Sequence, residues 1–197
     1  MKYLPLAVLW VAWATIHSIM ISHRFTDWTK NKLGNRYRYY RLIFNVLALA
    51  SFFPILFYSK MLDSTYVIRF SPPWNILQYA LLALSLIIFV WSFRQFDFLE
   101  FLGIRQVMSK GANYKEPSTL IETGPYRFVR HPMYFGVLIF IWSLNATMAD
   151  IITNIVLSIY IITGCLLEEK KLIAELGIAY IDYKKRVPML IPFIKMK

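Results

Sequence analysis

The chain has 197 residues, 58% of them apolar and 17% aromatic, and its mean hydropathy is +0.49. That length suits one domain, and the composition belongs to a chain immersed in lipid and excludes an ordinary soluble core. The net charge of +11 would suggest nucleic acid for a soluble protein. Here it follows from topology and contact with anionic lipid, so membrane lipids and not nucleic acid are the expected partners.

The first apolar run covers about residues 4–22 and carries Trp10, Trp13 and His17. It has no small-residue cleavage site and leads into a basic segment with Arg24, Lys30, Lys32, Arg36, Arg38 and Arg41, so it reads as a helix and not a signal peptide. A second span covers about 42–58, with Asn45 near its start and a kink expected at Pro54. The connection through Ser71-Pro72-Pro73 holds only Lys60 and Arg69 as cations, and a third span covers about 74–93. The longest polar region, 94–131, follows. The fourth helix, about 133–148, and the fifth, about 150–167, flank a turn at Asn145-Ala146-Thr147. At 1.5 Å per residue the fourth is about 24 Å long against a hydrocarbon core of about 30 Å, so this pair reads as a short hairpin that need not fully cross. The tail opens with Glu168-Glu169-Lys170-Lys171 and continues as a Tyr- and Lys-rich amphipathic stretch to Pro192.

Lys2, Lys60 and Arg69 lie on one side of this plan, and the remaining Lys and Arg fall in the first loop, the long loop and the tail. The positive-inside rule then places the N-terminus outside and the long loop and C-terminus in the cytoplasm, as five spans require. The expected fold is an all-α integral membrane protein of about five transmembrane helices, the last two a short hairpin, with a cytoplasmic cofactor site. Residues 1–93 form a three-helix membrane region and 94–197 the remainder of a single structural domain. Cys165 sits inside an apolar run as a small packing residue, with no disulfide framework and no metal cluster.

Chemistry concentrates between Gly124 and Gly136. Pro132 suits the first position of a helix and places His131 at its N-cap. The free N–H groups there, beside Arg130, suit a carboxylate or phosphate, although a basic loop among headgroups would look the same. Glu168 and Glu169 read either as a solvated helix-end pair, with Glu168 bonded to Lys171, or as a pair with one carboxylate turned inward to hold a cation or amino group. Tyr126, Tyr134, Tyr180 and Tyr183 can face a cation or form an interfacial belt. His17 reads as a buried histidine bonded to Ser18 or Asn45, a substrate contact or a haem ligand.

The run from Gly124 through Tyr126 and Arg130-His131-Pro132-Met133-Tyr134 to Gly136, then Glu168-Glu169, Leu176-Gly177, Tyr180, Tyr183 and Pro188, resembles the isoprenylcysteine carboxyl methyltransferase superfamily of membrane S-adenosylmethionine enzymes. Phe96-Asp97, Leu102-Gly-Ile-Arg-Gln106 and Val187-Pro-Met-Leu-Ile-Pro192 are most similar to its methanethiol S-methyltransferase and NnrU-like branch, with weaker support from His17-Ser18, Tyr40-Arg41 and Asn45. The resemblance implies a cofactor site of Gln106, Ser118, Thr119, Leu120, Ile121, Tyr126, His131, Pro132, Met133, Tyr134, Glu168 and Glu169. Arg130 and His131 would hold the cofactor's carboxylate and Glu168 its ammonium, with Arg130, Tyr134 and Glu168 nearest the chemistry and Tyr134 or the basic cluster favouring a thiolate. In the isoprenylcysteine enzymes an arginine four residues before that glutamate binds the substrate carboxylate; here Gly164 takes its place. This favours a small or lipophilic thiol as acceptor. The expectation is a metal-free methyltransferase of the bacterial inner membrane with no obligate protein partner. The alternatives are a phospholipid or amine N-methyltransferase, and a non-enzymatic NnrU-like protein with a haem or scaffold role.

Overall fold

A computed structural model describes residues 2–63, 65–95, 97–108 and 120–194. Phe96, Ser118 and Thr119, named in the sequence argument, lie outside the described residues. The chain is mostly helical: α1 (Leu4–Ile21), α2 (His23–Leu33), a 3₁₀ turn Gly34–Tyr39, α3 (Tyr40–Leu62), α4 (Asn75–Phe93), α5 (Phe98–Leu102), α6 (Ile104–Met108), a 3₁₀ turn Gly124–Arg127, α7 (Pro132–Trp142), α8 (Met148–Leu176) and α9 (Ile178–Arg186). Strands β1 (Tyr66–Ile68) and β2 (Ala146–Thr147) form a two-stranded pairing. Among the described residues, four helical stretches are long and apolar enough to cross a membrane, namely Leu4–Ile21, His23–Leu62, Asn75–Phe93 and Met148–Leu176. By the length and composition of these helices the chain is an integral membrane protein.

The chain resolves into two compact units. One comprises residues 1–65, 97–116 and 147–157, the other 66–96, 117–146 and 158–197, with α8 running through both. In the first unit α1 packs on α3 around the buried Leu6, Trp10 and Ala149. Trp10 donates from its indole to Thr153 Oγ1 at 3.0 Å, the partner a buried indole needs. Thr147 and Asp150 cap α8 reciprocally: Thr147 N donates to Asp150 Oδ2 (3.0 Å) and Asp150 N to Thr147 Oγ1 (3.2 Å). The remaining Asp150 oxygen meets Lys60 at 2.7 Å.

The segment expected as a basic loop is helical as α2. No proline or glycine interrupts it between Ser22, whose extended backbone ends α1, and Gly34 at φ +50°. The short helices α5 and α6 explain the Asp97 and Gly103 motif. Asp97 caps α5 through Leu99 N and Glu100 N, and Asn45 donates to the carbonyls of Phe101 and Leu102 at its end. Gly103 then turns at φ +86°, and a Cβ there would sit 2.6 Å from Leu42 N. Gly103→Ala is expected to destabilise the protein by about 2–4 kcal/mol, combining left-handed strain with an unyielding backbone clash. Thermal unfolding in detergent measures it, and an unchanged midpoint would refute the close packing of α6 on α3.

In the second unit α7 runs antiparallel to α4. Gly124 lies against Gln95 and Trp91, Ser85 Oγ donates to Gly136 O at 3.0 Å, and Gln78 Nε2 donates to Ser143 O at 2.9 Å. The small Gly136 lets the helices approach until a buried serine reaches a carbonyl, the packing that apolar helices use in lipid. From Gln78 to its end at Phe93 α4 rises about 23 Å, and the Gly124–Ser143 segment runs beside it from Gln95, just past that end, to Gln78. The fourth helix stops at Trp142 and not near Met148, because Ser143 Oγ turns back to Ile139 O (2.5 Å) and Asn145 Oδ1 accepts from Phe70 N (2.9 Å). The fifth extends past residue 167 to Leu176, since nothing breaks it before Gly177 at φ +59°.

Candidate functional site

The second unit assembles the candidate site from the approach to α7, the second half of α8, and α9 with its tail. Thr123 Oγ1 donates to Gln95 Oε1 at 2.9 Å, and Gly124 turns at φ +60°. After the 3₁₀ turn the chain is buried through Val129, Arg130, His131 and Pro132. Pro132 opens α7 and His131 is its N-cap, as the Arg-His-Pro sequence predicts. The tail pins this approach in place: Arg130 N donates to Pro188 O (2.9 Å) and His131 N to Met189 O (3.1 Å).

Consecutive helical residues point about 100° apart, and Glu168 and Glu169 use that divergence to face different surroundings. Glu169 is 2% exposed and Glu168 44%. Glu169 Oε1 lies 2.6 Å from Arg130 Nε and 3.4 Å from His131 Nε2, and its Oε2 lies 2.8 Å from Lys184 Nζ. Arg130 Nη1 donates to the carbonyls of Lys184 and Val187. The guanidinium is therefore taken up by protein groups and bolts α7, α8 and α9 together. Glu168 keeps its carboxylate towards solvent, with Oε2 3.7 Å from His131 Nδ1. Lys171 pairs with Glu175.

The four tyrosines divide between core and rim. Tyr180 and Tyr183 are buried edge to face (5.8 Å) with Val187, against Leu120, Leu172, Ile173 and Leu176. Burial first pushes both phenols above their usual range, so both stay protonated. Tyr183 accordingly donates to Tyr126 O at 2.7 Å. Burial, then the charge of Glu168, also raises Tyr126. Tyr134 is 37% exposed, with its ring 5.8 Å from that of His131. The structure thus brings together Tyr126, Arg130, His131, Pro132, Tyr134, Glu168 and Glu169, with Leu120 packed on the tyrosine pair and Met133 and Ile121 half-buried. Gln106 belongs to the first unit, on α6, where its Nε2 donates to Glu100 O at 3.2 Å. His17 is also in that unit, its ring 4.9 Å from Trp13 and 4.6 Å from Phe44. Sequence reasoning did not find Lys184 or the Pro188 and Met189 carbonyls. Lys184 looks like any residue of a solvated basic run, and a carbonyl carries no sequence signal.

A family model described as NnrU protein matches residues 5–189. The chain belongs to the NnrU family. It is 37% identical over 126 residues to a methanethiol S-methyltransferase of Crocosphaera subtropica, a match covering 62% of this chain and 49% of the relative. It is 34% identical over 93 residues to methanethiol S-methyltransferase 2 of Bradyrhizobium diazoefficiens, 47% of this chain and 34% of the relative. It is also 39% identical over 84 residues to the protein-S-isoprenylcysteine O-methyltransferase of Mus musculus, 39% of this chain and 29% of that protein. The chain thus spans about half the length, or less, of these curated relatives. No solved structure matches it.

Proposed function

We propose that this NnrU-family chain is an S-adenosylmethionine-dependent membrane methyltransferase whose acceptor is a small or lipophilic thiol. The observation that carries the reading is His131, buried at the N-terminus of α7 between an inward and an outward carboxylate. The similarity to named methanethiol S-methyltransferases supports it.

The residues present fit such a cofactor. A methionine-like end carries a carboxylate and an ammonium. The first suits the N–H groups opening α7 beside His131, and the second suits the exposed Glu168. Tyr126 and Tyr134 offer aromatic faces to a sulfonium. Leu120 and Ile121, with Ser118 and Thr119, take the place that the family resemblance assigns to the segment before Gly124. S-adenosylmethionine supplies a methyl group already activated on sulfur. What remains for the chain is positioning, because in-line transfer to a nucleophile needs little proton movement and profits mainly from fixed geometry. Arg130 and Glu169 serve as positioning residues: they hold His131 and the opening of α7 against the tail. A thiol must lose its proton to attack, to Glu168 or to solvent, and Tyr134 beside His131 is placed to donate a hydrogen bond to the thiolate.

Gly164, one turn before Glu168, leaves open space: a Cβ there would meet nothing within 4 Å. A carboxylate acceptor would find no cation at that position, and desolvating it unpaired is costly. A neutral thiol carries no such cost. By the positive-inside rule, the site and the C-terminus face the cytoplasm of a bacterial inner membrane and the N-terminus faces out. The traverse of α4 by the Gly124–Ser143 segment supports an odd number of crossings.

Calorimetry with S-adenosylmethionine on detergent-solubilised protein tests the reading, followed by assay of methyl transfer to small alkanethiols. Micromolar binding and thioether formation are expected. No binding to folded protein would overturn the proposal, and a haem Soret band in that preparation would favour the non-enzymatic reading. Transfer to amines in preference to thiols would replace the acceptor class.

A further inference from the structure

Between the loop that leads into α7 and the tail after α9 lies a pocket of about 360 Å³ lined by Arg127, Phe128, Arg186, Pro188, Pro192 and Phe193. Its chemistry is not used by the methyl-transfer reading. Arg186 shares Glu122 at 2.9 Å, with both side chains partly exposed. Arg127 has no ion-pair partner among the described residues, so the pocket carries an unneutralised guanidinium and a second one held by a single carboxylate. Two prolines make its wall rigid. Its apolar rim faces outward: Phe128 is 52% exposed, Phe193 95%, and the neighbouring Ile191 and Ile194 about half. Phe193 also adopts φ +68°, a conformation L residues rarely take outside functional or over-determined settings.

Two guanidinium groups beside bare aromatic and aliphatic side chains are the two halves of an amphiphile's complement. Arginine matches the oxygens of a phosphate through paired donors. Exposed phenylalanines in a chain with long apolar helices find their solvent at the boundary between headgroup and acyl chain. We propose that this pocket seats the phosphate of an anionic phospholipid headgroup between Arg127 and Arg186, with the glycerol and upper acyl chain against Phe128 and Phe193. A soluble phosphate would satisfy the two arginines but leave the apolar rim in water, so the lipid accounts for both halves. The site has a direct mechanical link to the cofactor loop. The carbonyls of Pro188 and Met189 receive the N–H groups of Arg130 and His131. A headgroup held at Pro188 thus fixes the register of the tail that orders His131.

Native mass spectrometry of the full chain, released from detergent after addition of phosphatidylglycerol or phosphatidylcholine, tests the assignment. The wild type is expected to retain one phosphatidylglycerol in clear preference to phosphatidylcholine. Arg127→Gln is expected to cut retention about tenfold, and the Arg127→Gln/Arg186→Gln pair more. Arg127→Gln alone breaks no ion pair among the described residues, and an unchanged unfolding midpoint in that variant separates lost binding from lost folding. Phe193→Ser should weaken retention severalfold with both arginines intact. Equal retention of the two lipids, or unchanged retention in Arg127→Gln, would overturn the proposal. Displacement of phosphatidylglycerol by millimolar inorganic phosphate, with no effect of Phe193→Ser, would overturn the lipid assignment in favour of a soluble phosphate.

Discussion

His131→Ala and Glu168→Ala are each expected to weaken S-adenosylmethionine binding by about tenfold to a hundredfold, the worth of one charge-assisted hydrogen bond. The two side chains meet different ends of the proposed ligand, yet they also face each other, with His131 Nδ1 3.7 Å from Glu168 Oε2. Removing either frees the other to relax, so the double variant should lose less than the sum of the single losses. The protein itself should survive both changes. His131 is tied into the fold by its backbone, through N–H to Met189 O and carbonyl to Phe135 N at 3.1 Å each, and neither bond needs the ring. Glu168 is 44% exposed. Calorimetry beside thermal unfolding separates the effects: lost binding at an unchanged unfolding midpoint supports a ligand-contacting role. Full binding in both variants would remove His131 and Glu168 from the cofactor site.

Much of this site was legible because its local rules are strong. Pro132 demands a helix start, His131 must then be a cap, and a carboxylate pair ending an apolar run stands out against its surroundings. The division of labour within the Glu pair was not legible. Periodicity says that two adjacent helical carboxylates diverge, but which one turns inward depends on where Arg130 and Lys184 arrive from other elements. The role of Arg130 was hidden for the same reason: an arginine beside a helix N-terminus looks free for an anion until Glu169 and the Val187 carbonyl are seen to occupy it. In the membrane region, the apolar runs marked α1, α3, α4 and α8 well. The helical character of α2 was masked by its charge. The early stop of α7 goes with Asn145 Oδ1 accepting from the distant Phe70 N, which no local pattern reports.

The largest stability effect is expected from breaking the buried ion pair between Arg130 and Glu169. Both side chains are at most 5% exposed, and Glu169 answers Arg130, Lys184 and His131 together. Glu169→Gln leaves the guanidinium buried without its counter-charge, a change worth about 3–5 kcal/mol. For a chain of this size that lowers the unfolding midpoint by about 10 °C. Arg130→Met should cost less, because Glu169 keeps Lys184 at 2.8 Å, but it leaves the Lys184 and Val187 carbonyls without that donor. Arg130→Lys should recover little, because an ammonium cannot reach a carboxylate and two carbonyls with one planar fork. Combining Arg130→Met with Glu169→Leu removes both charges and should restore part of the loss, since Lys184, half-exposed, can turn to solvent. Cofactor affinity in these variants should fall together with stability, because the pair acts on the site through the packing of α7, α8 and α9. Glu169→Gln with an unchanged midpoint but no S-adenosylmethionine binding would give the opposite answer. It would make Glu169 a direct ligand of the cofactor, and the burial of its partner Arg130 would then serve to tune that carboxylate and not to hold the fold.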